Sequence, residues 1–279
     1  MVRRILLGSQ LRRLREAKGI TREAAGYSIR ASESKISRME LGRVSFKERD
    51  VADLLTLYGI SDETERTQLL SLVREANIAG WWHGYGDVLP SWFQTYIGLE
   101  EAASLIRVYE VQFVHGLLQT EEYIRAVVAL GHEGAPGEEI ERRVGLRLER
   151  QKLLVAERAP ELTAVMDEAA LHRPIGGREV LRGQLQHLVD AVEMDNVNVR
   201  ILPADFRGYP AGAAGAFTLL HFPESDLHDV AYVEQLTGAM YIDKRDEVDQ
   251  YDKAMQNLLA DSLSPKASLE RIRSLLRDA

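Results

Sequence analysis

"SESKISRMELG", residues 32–42, contains a capping residue, a short amphipathic run and a stop signal. Ser32 offers a side-chain oxygen to the first free amides of a helix, and Gly42 suits the left-handed conformation that ends one. Ile36 and Met39 stand three apart, so helical steps of about 100° place both on one side. The same steps put Ser34, Ser37 and Arg38 on the opposite side, with Glu33 and Lys35 at the flanks. The outward face is therefore short, polar and basic. Hydroxyl, carboxylate and guanidinium groups can each bond to base edges in a major groove. Arg to guanine is the commonest such contact, and Glu can accept from cytosine.

The neighbouring sequence repeats the pattern of cap, apolar stripe and breaker. "LLGSQLRRLREAKG" spaces Leu7, Leu11 and Leu14 at helical intervals and stops at Gly19. A second helix opens at Thr21 and sets Ala25 and Ile29 four apart. "KERDVADLLTLYG" predicts a fourth. A fifth follows Ser61 and Asp62, with its stripe at Leu69, Leu70, Leu72 and Val73. Residues 1–80 thus read as an all-α domain of five helices.

The 279 residues carry a net charge of −8, but unevenly. Residues 1–50 hold 13 Lys and Arg against 6 Asp and Glu, a net of +7, which leaves −15 for residues 51–279. Charges further apart than the Debye length of ~8 Å at physiological salt are largely screened from each other. An acidic total is therefore no argument against a basic face that binds nucleic acid. There is no cysteine, which excludes disulfides, thiolate zinc sites and thiol redox sensing. "MVRRILLG" is too short an apolar run for a signal peptide or anchor, and the expectation is a soluble cytoplasmic protein associated with the nucleoid, with no membrane contact.

"LGSQLRRLREAKGITREAAGYSIRASESKISRMELGR" resembles the Cro/cI-type helix-turn-helix regulators, the XRE family, over residues 8–58. In that family the third helix enters the major groove and the second lies across the backbone. The resemblance implies base contacts from Glu33, Ser34, Ser37 and Arg38, and phosphate contacts from Arg22, Lys35, Arg43 and Lys47. It also implies a structural ion pair between Arg15 and Glu40. Arg22 stands where the family usually has Gln, turning a neutral backbone clamp into a charged one. Arg30 stands in the inter-helix turn where Gly is usual, at a position expected to require positive φ. A homodimer on a pseudopalindromic double-stranded operator is the expected binding mode, with half-sites about one helical turn apart.

"NIAGWWHGYGDVLP" clusters Gly, Pro and aromatic residues after the fifth helix and suggests a boundary near residue 80. Trp81, Trp82, Tyr85 and Trp92 gather there, either as packing between domains or as a surface for a ligand or partner. Residues 81–279 read as an α+β domain with a small mixed or antiparallel sheet. The candidate strands are "LIRVYEVQFV", "LTAVMDEAAL", "VNVRILP", "AFTLLHF" and "VAYVEQL", the last two forming a hairpin about "PESDLHD". Helices fall on "TEEYIRAVVALG", "GEEIERRVGLRLERQKLLVAE", "GREVLRGQLQHLVDAVEM" and two closing segments.

"YEVQFVHGLLQTEEYIRAVV", "RLERQKLL", "MDEAALHRPIGG", "QLQHLVD", "VNVRILP" and "YVEQLTGAMYID" resemble the poorly characterised C-terminal domain of toxin-antitoxin-like regulators from high-GC Gram-positive bacteria, over residues 91–277. His115 occupies a place where that family commonly has Pro. The expected roles of the domain are dimerisation, sensing of an unidentified small molecule or, as the resemblance implies, holding a small acidic partner protein. Asp167, Glu168, His172, His221, His228, Glu234 and Asp243 supply acid-base residue types, but no HExxH, GxSxG, P-loop or CxxC spacing organises them. The expectation is a protein that is not an enzyme and needs no metal or cofactor.

Overall fold

The computed structural model describes residues 2–42, 44–77, 80–205, 215–223 and 228–279, excluding the side chains of Val2, Arg3 and Glu75. The chain divides into two compact units, one ending at Gly84 and the other beginning at Tyr85.

The first unit is helical: α1 (Val2–Ala17), α2 (Arg22–Ser28), α3 (Glu33–Glu40), α4 (Glu48–Leu57) and α5 (Glu63–Ala76). The caps sit where the sequence puts them. Thr21 Oγ1 accepts from the Ala24 amide at 3.1 Å, Ser32 Oγ from Lys35 at 3.2 Å, and Asp62 Oδ1 from Glu65 at 2.8 Å. Each such cap contributes about 1 kcal/mol by satisfying an amide that the helix cannot. Gly19 and Gly42, both at φ +64°, end α1 and α3 in the left-handed region. Leu7, Leu11, Ala25, Ile36, Met39 and Leu55 form one core with Tyr58 and Leu69.

Gly8 fixes how closely α1 and α3 approach. A Cβ there would lie 2.4 Å from the Met39 carbonyl oxygen and 2.7 Å from that of Glu40, contacts that backbone atoms cannot relieve. The end of α3 therefore rests directly on α1.

The second unit is α+β. A six-stranded mixed sheet has the order β3-β2-β1-β4-β5-β6, from β1 (Leu105–Glu110), β2 (Glu161–Asp167), β3 (Val197–Leu202), β4 (Phe217–His221), β5 (Val230–Gln235) and β6 (Gly238–Ile242). β1 pairs parallel with β2, and β2 with β3. Parallel neighbours require crossovers, supplied here by α7 (Glu121–Gly131) and α8 (Gly137–Gln151) after β1, and by α9 (Arg178–Ala191) after β2. β4, β5 and β6 pair antiparallel, as expected for β4 with β5, while residues 224–227 of the expected turn lie outside the described residues. α6 (Ser91–Glu100) precedes the sheet; α10 (Arg245–Asp261) and α11 (Pro265–Asp278) close the chain.

Alternation splits the two faces of the sheet. Tyr109, Val165, Leu219 and Ala231 pack with Val248, Met255 and Leu258 of α10. On the α7–α8 side, Ile124, Val128 and Val144 form a smaller cluster between those helices.

Three strand readings differ from the structure. β1 stops at Glu110 rather than running to residue 114, and β2 stops at Asp167 because Glu168–Leu171 turns into a 3-10 segment. Asp167 causes that turn by accepting from the Ala169 amide at 2.8 Å. The sequence reading contains no β6, whose half-exposed residues show little alternation.

Candidate nucleic-acid interface

The candidate reading face sits on α3. Ile36 and Met39 are 1% exposed, while Glu33, Ser34 and Arg38 are exposed and Ser37 is half-buried. Arg38 Nε donates a long 3.4 Å bond to the Ser34 carbonyl, which leaves the guanidinium running along the outer surface of the helix. The helix is short, so its exposed residues lie within about two turns.

α3 is braced from beneath. Arg15 Nε donates to Glu40 Oε1 at 2.5 Å and Arg15 Nη2 to Oε2 at 3.1 Å, with both residues buried. Arg15 Nη1 also donates to the Ile20 carbonyl at 2.8 Å, tying α1, its terminal turn and α3 together. The hydrogen bond to Glu40 raises the pKa of Arg15 against the opposing effect of burial.

Two of the expected phosphate-contacting cations are already engaged inside the unit. Arg22 Nε donates to Glu40 Oε2 at 3.0 Å, and Lys35 Nζ to Asp50 Oδ2 at 2.6 Å. Lys47 is exposed at the start of α4 without a side-chain capping bond, and Arg43 lies outside the described residues.

The turn between α2 and α3 adds residues that the sequence reading did not assign to a site. Arg30 has φ +55°, the positive φ expected of this position, and no other described non-glycine residue has one. Its side chain is exposed and, with Lys47 and Arg49, lines a hollow of about 260 Å³ that also touches Asp50 and Asp53. Tyr27 of α2 is 88% exposed. Arg30 and Arg49 are 19 residues apart and only the fold brings them together, although their exposed charge was open to view.

The aromatic residues around residue 80 are divided between the two units. Trp81 and Trp82 belong to the first unit, Tyr85 and Trp92 to the second. Trp82 is 3% exposed, a core residue, and its ring fills the space where a Gly80 side chain would stand. Trp81 meets it edge-on at 5.8 Å. Trp92 packs edge-on against Phe93 at 5.6 Å, and its carbonyl accepts from Tyr241 at 2.6 Å.

Glu168, His172, His221 and Glu234 of the second unit serve as ties. Glu168 accepts from Arg271 of α11 and from the Ala204 amide, with His172 at 3.1 Å. His221 Nδ1 bonds Asp229 at 2.6 Å while Arg107 donates to its Nε2, and Glu234 accepts from the Tyr232 hydroxyl.

Residues 6–69 match a helix-turn-helix domain, and residues 93–274 match a domain of unknown function, DUF5753. The chain belongs to the DUF5753 family. No curated protein and no solved structure matches it. In this DUF5753 protein the helix-turn-helix domain marks residues 6–69 as the part that binds DNA, in keeping with transcription regulation. Among the described residues no helix is long and apolar enough to cross a membrane.

Proposed function

We propose that this chain is a sequence-specific transcriptional regulator of the XRE type that binds a pseudopalindromic operator as a homodimer. The observation that carries the reading is α3: four polar residues face outward from a helix anchored by Ile36, Met39 and the Arg15–Glu40 pair. Glu33, Ser34, Ser37 and Arg38 have the hydrogen-bonding chemistry of base readout, and Arg22, Lys35 and Lys47 surround them with positive charge. Arg22 and Lys35 exchange an internal carboxylate for a phosphate only in part, so their contribution to affinity is smaller than that of an unpaired cation. Lys47, Arg30 and Arg49 are the stronger candidates for the backbone.

Selection of bound sequences from a random duplex pool tests the proposal. The expected product is an inverted repeat with half-site centres about 34 Å apart. Eight to ten neutralised phosphates make affinity fall on the order of 10³- to 10⁵-fold between 50 and 200 mM salt. An enriched site without symmetry refutes the dimer, and binding that is insensitive to salt refutes the groove-reading mode.

A further inference from the structure

The second unit contains a half-open pocket of about 620 Å³ bordered by α6, α8, the segment after β1 and the sheet. That is the size of a small-molecule site, far larger than a packing defect. Its walls combine two chemistries. Phe93 and Tyr96 stack with centroids 5.3 Å apart, and Tyr232 continues the aromatic wall 4.2 Å beyond Tyr96. Against this wall stand Arg147, Gln119 and Glu110.

The polar groups are unequally satisfied. Arg150 is neutralised by Glu100, to which it donates twice, at 2.5 and 2.7 Å, while the Tyr96 hydroxyl donates to the same carboxylate at 2.9 Å. Arg147 has no such arrangement. Its Nη1 atom is buried and meets no acceptor among the described residues, although a buried guanidinium left unpaired is costly. Gln119 donates through Nε2 to the Val114 carbonyl at 2.7 Å, but its buried Oε1 meets no donor among the described residues. Native interiors rarely leave such groups unsatisfied, and here a donor and an acceptor both border one cavity.

We propose that this cavity binds a small planar carboxylic acid, whose carboxylate pairs with Arg147 while a hydrogen-bond donor on the same molecule reaches Gln119 Oε1 and its ring lies against Phe93 and Tyr96. The charge balance favours a monoanion. With Arg150 offset by Glu100, Arg147 supplies one uncompensated positive charge inside, and Glu234 tempers it from an exposed position at the end of β5. One free guanidinium suits a carboxylate; a phosphate dianion calls for more charge than Arg147 alone supplies. Burial keeps Glu110 largely protonated at neutral pH, so it does not repel the ligand.

The inference is independent of the DNA reading, and calorimetry on the full chain tests it. The probes are salicylate, indole-3-acetate and 2-naphthoate, each compared with its methyl ester. At least one acid is expected to bind one per chain and to raise the melting temperature, with its ester at least tenfold weaker. Arg147→Met is expected to weaken that acid at least tenfold. Without ligand the variant should melt no lower than the parent, because it replaces an unpaired buried charge with an apolar side chain of similar length. Gln119→Leu should weaken probes that carry a donor and leave 2-naphthoate unchanged. The proposal is overturned if none of the three acids binds, if acid and ester bind alike, or if Arg147→Met binds the acid as the parent does. A lower melting point of unliganded Arg147→Met also overturns it, since Arg147 would then be a structural group satisfied within the fold.

Discussion

Arg22 in the first turn of α2 donates to Glu40, the last residue of α3, at 3.0 Å, on the carboxylate that also holds Arg15. One buried acid thus joins α2, α3 and α1. Removing it strands Arg15, whose side chain is 8% exposed. Glu40→Gln is expected to destabilise the helical unit by about 3–5 kcal/mol, because the orphaned partner stays buried. Urea unfolding followed by far-UV circular dichroism measures the loss; a change below 1 kcal/mol shows that the pair carries no such weight.

Arg22→Gln acts differently. The charge leaves, and Glu40 keeps Arg15. On the proposed mode, affinity for every duplex falls together and the salt slope drops by less than one phosphate equivalent, because Arg22 spends part of its charge on Glu40. Fluorescence anisotropy on specific and scrambled duplexes over a salt series reads both quantities. A change of sequence preference would assign Arg22 to base readout instead.

Arg38→Ala tests the outward face. The expected cost is ~1–3 kcal/mol on the selected operator, with relaxed preference at one base position. An equal loss on all sequences makes Arg38 a phosphate contact.

Arg30 stores backbone strain at φ +55°. Arg30→Gly relieves it, against the greater freedom that glycine gains in the unfolded chain, for a net stabilisation of about 0.5 kcal/mol. The same variant is expected to lower the salt slope of DNA binding by about one unit. A stabilised variant with unchanged salt dependence means that Arg30 serves the turn and not the phosphates.

Buried His115 and half-buried Glu110 give the second unit opposite pH trends. Burial, with Arg150 nearby, lowers His115 from 6.5 to about 3. The unfolded chain then binds the extra proton, so stability is lost as pH falls from about 6.5 toward 3. Burial, reinforced by Glu234 and opposed by Arg150, raises Glu110 from 4.5 to about 8. Here the folded chain keeps the extra proton; its contribution is full below 4.5 and is lost as pH rises to about 8. Between pH 4.5 and 6.5 the two trends oppose each other, so Glu110→Gln should flatten the fall in stability between pH 6.5 and 8 and unmask a rise between pH 5 and 6.5. Urea midpoints at pH 5, 6.5 and 8 decide it, and a variant that still loses stability as the parent does assigns the alkaline trend elsewhere.

The sequence disclosed what is local. Thr21, Ser32, Asp62, Gly19 and Gly42 act within a few residues of themselves, so the helices of the first unit could be read directly, as could the burial of Ile36 and Met39. The Arg15–Glu40 pair came through family resemblance, since nothing in residue spacing joins positions 25 apart. What was missed depends on distant segments meeting. Arg22 and Lys35 find carboxylates on other elements, and the cavity's polar lining comes from strands and helices spread over more than a hundred residues. β6 escaped because "GAMYI" is a half-exposed edge strand without alternation, and for Trp82 the sequence leaves packing and an exposed surface both open because composition cannot report burial.

The absence of a side chain at Gly8 separates two kinds of inheritance in the first unit. Where α3 sits is set by backbone meeting backbone at Met39 and Glu40, a fit that tolerates no enlargement. Glu33, Ser34 and Arg38 project away from that seat and can be exchanged without disturbing it. On the proposed mode, descendants of this chain acquire new targets by rewriting the exposed positions of one short helix while the mount beneath them stays unaltered.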